Sequence, residues 1–108
     1  MRRRSSFAPM LLAACLAGLT TQSAVAGGDR ELGEYLATEC VTCHQISGRY
    51  DGIPSIVGWP PESFVEILSM YRDRRRENQV MRSIAVKFTD EEIAALAAYF
   101  GSLAPKTD

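Results

Sequence analysis

Cys40-Val41-Thr42-Cys43-His44 is the stretch on which the reading of this chain turns. Two thiols three positions apart on one helical turn can each add to a vinyl group of a porphyrin, and the histidine that follows then lies under the iron. This is the attachment pattern for c-type haem. Covalent attachment holds the ring against the chain where other contacts are few. The imidazole supplies one iron ligand, and its other ring nitrogen needs an acceptor to orient it. His44 is the only histidine in the chain, so the proximal ligand has a single candidate.

Other uses of the motif fit less well. A structural zinc site needs four ligands, and beyond Cys40, Cys43 and His44 the segment after residue 26 offers no further cysteine or histidine. A thioredoxin-like dithiol needs a βαβ context, and no alternating apolar pattern flanks the motif. A disulfide between residues three apart closes a loop too small to stabilise much.

The surrounding composition agrees with a small haem domain. The chain has 108 residues, 46% of them hydrophobic and 23% charged, as in one ordinary globular unit. Its 12 basic and 13 acidic side chains give a formal net charge of −1. That balance argues against nucleic acid as a partner.

Residues 1–26 read as a secretory signal peptide. Arg2, Arg3 and Arg4 precede an apolar run from Phe7 to Leu19, and Ala24-Val25-Ala26 supplies the cleavage site. The run is too short for a membrane span. A minor alternative is lipoprotein processing at Leu12-Ala13-Ala14-Cys15, which would leave Cys15 lipidated. Cleavage after Ala26 directs an 82-residue domain, 27–108, to the periplasm with 9 basic and 13 acidic side chains, a net of −4. Only Cys40 and Cys43 then remain of the three cysteines.

A second iron ligand must come from methionine, and beyond the signal only Met70 and Met81 are left. Met70 sits off the stripe of Phe64, Ile67, Leu68 and Tyr71 and reads as a core filler. Met81 follows the polar stretch Arg76-Glu77-Asn78-Gln79 and is expected to reach the ring from a loop on the opposite side. If Met81 packed without ligating, the iron would keep an open face, as in a haem enzyme or a gas sensor. The chain has no second histidine to assist such chemistry.

The pattern predicts an all-α domain of about three to four helices. A first helix spans 29–39, with Leu32, Tyr35 and Leu36 at helical spacing. An irregular loop over 45–60 holds Gly48, Gly52, Pro54, Gly58 and Pro60, and Tyr50 and Trp59 in it are expected to pack near the haem edge. A middle helix opens at Pro60-Pro61 and runs to Tyr71 or Arg75. The last helix starts with a capping box, Thr89 with Glu92, and Gly101 near its end allows termination. The run Arg72-Asp73-Arg74-Arg75-Arg76-Glu77 reads as a helix end favoured by the macrodipole, with docking of an acidic partner through Arg74 to Arg76 as the other reading.

Taken in order, C-x-x-C-H, Pro54-Ser55-Ile56-Val57-Gly58, a middle helix, a methionine and a last helix carrying Leu96-Ala97-Ala98-Tyr99 resemble the small class I cytochromes c. The resemblance covers essentially all of 27–108. It implies that Pro54 offers its carbonyl to His44, that Gly33 and Tyr99 lie where the first and last helices cross, and that Met81, seven residues before Phe88, is the second axial ligand. Gly52 to Ile56, Phe64 to Leu68 and Met81 to Ala85 are similar to the cytochrome subunits of flavocytochrome c sulfide dehydrogenases. That similarity implies a sulfide-oxidising flavoprotein as electron donor and no catalysis by this chain alone, while the single C-x-x-C-H, where such subunits often carry two haem domains, provides for one covalently bound haem c. A free shuttle serving another respiratory or photosynthetic redox protein is the other reading.

Overall fold

In the computed structural model, the described residues are 27–105 and, ahead of them, the isolated positions Ser5, Ser6, Pro9 and Gly18. The rest of the segment expected to be a signal peptide, with Cys15 and Ala26 of its expected processing sites, lies outside the described residues. Five helices follow one another: α1 (Arg30–Leu36), α2 (Thr38–Val41), α3 (Pro61–Arg72), α4 (Gln79–Ala85) and α5 (Asp90–Ser102). No strand occurs among the described residues.

Local chemistry accounts for most helix ends. The Asp29 carboxylate caps α1 by accepting from the backbone N–H groups of Glu31 (3.0 Å) and Leu32 (3.1 Å). Pro60 and Pro61 open α3, where a missing N–H costs nothing. Thr89 and Glu92 close the capping box of α5. The helix expected over 29–39 is interrupted at Ala37, so it counts as α1 and α2. The segment expected to be a loop around Met81 forms α4, which Asn78 caps by accepting from Met81 N–H at 3.0 Å.

The end of α3 departs from the usual pattern. Arg75 N–H donates to Met70 O (2.8 Å) and Arg74 N–H to Tyr71 O (3.2 Å), the bond pair of a Schellman turn. The left-handed residue of such a turn is usually glycine, but here Arg74 takes it with φ 63°.

The core gathers on α5. Phe100, Ile93 and Leu96 are fully buried, and the Phe100 ring stacks on Phe64 of α3 at 5.7 Å. Tyr99 meets Phe100 edge-on at 5.2 Å. Gly33 allows α1 to lie against α5: a Cβ there would run into the Ala95 carbonyl and come within 2.8 Å of Tyr99 Cβ. Gly33→Ala is therefore expected to cost about 3 kcal/mol and lower the melting temperature by roughly 15 °C. A thermal melt followed by far-UV circular dichroism checks it, and an unchanged melt would mean that the helices do not cross this closely.

Gly101 does not end α5, which runs on to Ser102. Its role is proximity: a Cβ would stand 3.0 Å from Trp59 O and 3.3 Å from Pro61 Cγ. Together with the Gly58 N–H bond to Phe100 O (2.9 Å), this seats the 45–60 loop on the end of α5.

Candidate haem site

The attachment motif is built where α2 runs out. Cys43 N–H and His44 N–H both donate to Cys40 O, at 3.1 and 2.8 Å, so residues 40–44 wind through one further turn. Both thiols and the imidazole thereby face one cavity of about 400 Å³.

The walls of that cavity come from five other stretches. The loop supplies Ile53, Pro54, Ile56 and Trp59; α3 supplies Phe64, Ile67, Leu68 and Tyr71. Arg76 and Asn78 come from the α3–α4 connection, Val80, Met81 and Ile84 from α4, and Phe88 from the turn before α5. The lining is predominantly apolar, as a flat, largely hydrophobic ring requires.

His44 Nδ1 lies 2.6 Å from Pro54 O. A carbonyl can only accept, so Nδ1 carries the proton and the lone pair resides on Nε2. The ring is thus held in the tautomer that ligates through Nε2. Pro54 owes its place to the turns around it, since Gly52 (φ 79°) and Gly58 (φ 76°) are both left-handed.

Burial, and after it the neighbouring Glu39 carboxylate, push the Cys40 thiol up to about 11. The thiolate is the reactive form, so a free Cys40 is a slow partner in disulfide exchange near neutral pH.

Most residues expected at the site meet there: Cys40, Cys43, His44, Pro54, Trp59 and Met81 all line the cavity. Tyr50 does not. It lies between the left-handed Gly48 and Gly52, is 74% exposed and stands outside the cavity lining, away from the place expected for it near the haem edge. Met70 is also absent from the lining. Residues not anticipated at the cavity include Ile53, Arg76 and Asn78. Ile53 arrives with the 45–60 loop, while the place of Arg76 and Asn78 depends on how the chain turns after α3, which no spacing in the sequence encodes.

The donor set fits haem c: two thiols at the attachment spacing, an oriented imidazole, a thioether and apolar walls. Among the described residues, no group of three His, Cys, Asp or Glu is placed to hold a bare metal ion. The fold and site thus define a small all-helical haem-attaching domain.

Residues 31–104 match the family profile described as cytochrome c, and the chain belongs to that family. It is an electron-transfer protein that carries haem c, with Cys40 and Cys43 as the matching attachment pair. It is 36% identical over 104 residues to the cytochrome subunit of sulfide dehydrogenase from Chlorobaculum tepidum, covering 92% of this chain and 94% of that one. Cytochrome c4 of Thiocapsa roseopersicina is 36% identical over 83 residues, 74% of this chain and 42% of that protein. Cytochrome c-554(548) of Halomonas halodenitrificans is 32% identical over 82 residues, 69% of this chain and 96% of that one. Among solved structures, reduced cytochrome c4 from Pseudomonas stutzeri superposes with a TM-score of 0.65 at 24% identity, over 72% of this chain and 52% of that one. The chain spans about half the length of either cytochrome c4, and the solved one supports the fold. No helix among the described residues is long and apolar enough to cross a membrane.

Proposed function

We propose that this chain is a periplasmic one-electron carrier whose haem iron is held between His44 and Met81, and that it accepts electrons from a sulfide-oxidising flavoprotein as its cytochrome subunit. The observation that carries the ligation is the 2.6 Å contact of His44 Nδ1 with Pro54 O, which frees Nε2 into a cavity that Met81 also lines. The bound haem takes up and returns one electron, and thioether ligation favours its ferrous form. The protein's part is to fix the imidazole, supply the thioether and keep most of the ring from water. With both faces occupied, substrate has no open position on the iron.

The partner reading rests on the near full-length likeness to a sulfide dehydrogenase cytochrome subunit. Residues 1–26 export the chain and are removed at Ala26, leaving 27–108 as a mono-haem domain. The other reading is a free shuttle serving a different redox protein, and the likeness to cytochrome c-554(548), 96% of whose length is covered, is compatible with either.

Purification of the untagged protein from its source in mild salt separates the two. The subunit reading expects a stoichiometric flavoprotein to co-purify with a low-spin haem showing the weak red-end band of methionine ligation. A lone cytochrome with the same spectrum would establish the shuttle, and a high-spin haem that binds carbon monoxide would overturn ligation by Met81.

A further inference from the structure

Residues 76–81, which lead into Met81, receive little help from the backbone. Arg75 N–H still donates to Met70 O and Arg82 N–H to Asn78 O, but no backbone N–H from 76 to 81 donates to another backbone carbonyl. Side chains hold this segment. Asn78 accepts from Met81 N–H, Arg76 Nε donates to Tyr71 Oη at 2.9 Å and Ser83 Oγ to Val80 O at 2.7 Å. Arg82 makes the most of these bonds: its Nε donates to Arg76 O at 2.8 Å and its Nη2 to Arg74 O and Glu77 Oε1, both at 3.0 Å.

We propose that Arg82 is a positioning residue for the axial methionine: its guanidinium clasps the 74–77 connection and so fixes the start of α4, and with it Met81, against the haem cavity. The inference rests on Met81 being the second ligand. Two further features support it. Arg82 is only 19% exposed although it is charged, and its partner Glu77 is 92% exposed, so the arginine is the fixed end of the pair. One of its acceptors belongs to Arg74, held in a left-handed conformation that a non-glycine residue leaves readily unless the surroundings hold it. A planar fork donates to these three residues from two nitrogens in fixed directions, whereas the three donors of a lysine share one nitrogen at the end of a flexible stem.

The test is displacement of Met81 from the ferric, haem-loaded protein by added imidazole, read from loss of the red-end band, alongside a thermal melt. Arg82→Met is expected to tighten apparent imidazole binding about tenfold, the factor that one charge-assisted hydrogen bond is worth. Arg82→Lys is expected to fall between it and the parent. Thr89→Ala, which removes the α5 cap without touching the connection, serves as control: it should lower the melt with imidazole binding unchanged.

Imidazole binding by Arg82→Met equal to that of the parent would overturn the proposal. So would tightening in Thr89→Ala that matches its loss of stability, because Arg82 would then act through stability alone. Should Arg82→Met fail to fold, parent-like imidazole binding by Arg82→Lys overturns it. Absence of the red-end band in the parent would instead refute ligation by Met81, a separable failure.

Discussion

Replacing Met81 with alanine is expected to convert the haem from a six-coordinate low-spin centre into one that binds carbon monoxide, and to lower its midpoint potential. Alanine offers the iron no donor, and no second histidine exists to take the place. The thioether favours ferrous iron, so its loss moves the potential down, on the order of 0.1 V within the roughly 0.8 V that axial ligation spans. Visible spectra with and without carbon monoxide and a redox titration read both effects. Met81→His adds a discriminating case: it should stay low-spin and refuse carbon monoxide, yet its potential should fall as well. Met70→Ala, outside the cavity lining, should change neither reading. A red-end band surviving in Met81→Ala would transfer the ligand role to another side chain.

Such an experiment has a defined target because part of the site is written as spacing. Haem attachment needs two thiols and an imidazole on one turn, so Cys40, Cys43 and His44 carry their chemistry in their order along the chain. The helix starts at Asp29, Pro61 and Thr89 are equally local, since each cap bonds within three residues or fixes its own φ. What the sequence conceals is tertiary. Helix α4 has seven residues, too few to be stable alone, and although Asn78 caps it locally, its placement depends on Arg82 reaching back to the 74–77 connection. Tyr50 lies between two left-handed glycines, Gly48 and Gly52, in a stretch without periodicity, so its exposure has no signal in the spacing of residues. Gly101 looks like a helix terminator by position, whereas its absent Cβ makes room for Trp59 O and Pro61.

The second large effect concerns the haem as part of the core. Cys40→Ala with Cys43→Ala removes both covalent links, and the resulting chain is expected to lose haem on purification and to show weak helicity with no cooperative melt. The reason lies in what surrounds the site. Ile56, Phe64, Leu68 and Phe88 belong to the buried core and also line the haem cavity, so the core is continuous with it. Without the ring, the apolar walls of this cavity of some 400 Å³ stand against water and the burial that haem would supply is lost, in a domain of the kind that is stable by only roughly 5–15 kcal/mol. Collapse cannot recover it cheaply, because α5 is already packed against α1 through Gly33, against α3 through Phe64 and against the end of the loop through Gly58, leaving α4 and the part of the 45–60 loop ahead of Gly58 as the elements most able to move. Loss of order should therefore be greatest in those two, and hydrogen exchange should find α1 and α5 the last to open. A haem-free double variant with full helicity and a sharp thermal transition would show that the polypeptide core suffices alone, and that the haem is a guest in the fold instead of its centre.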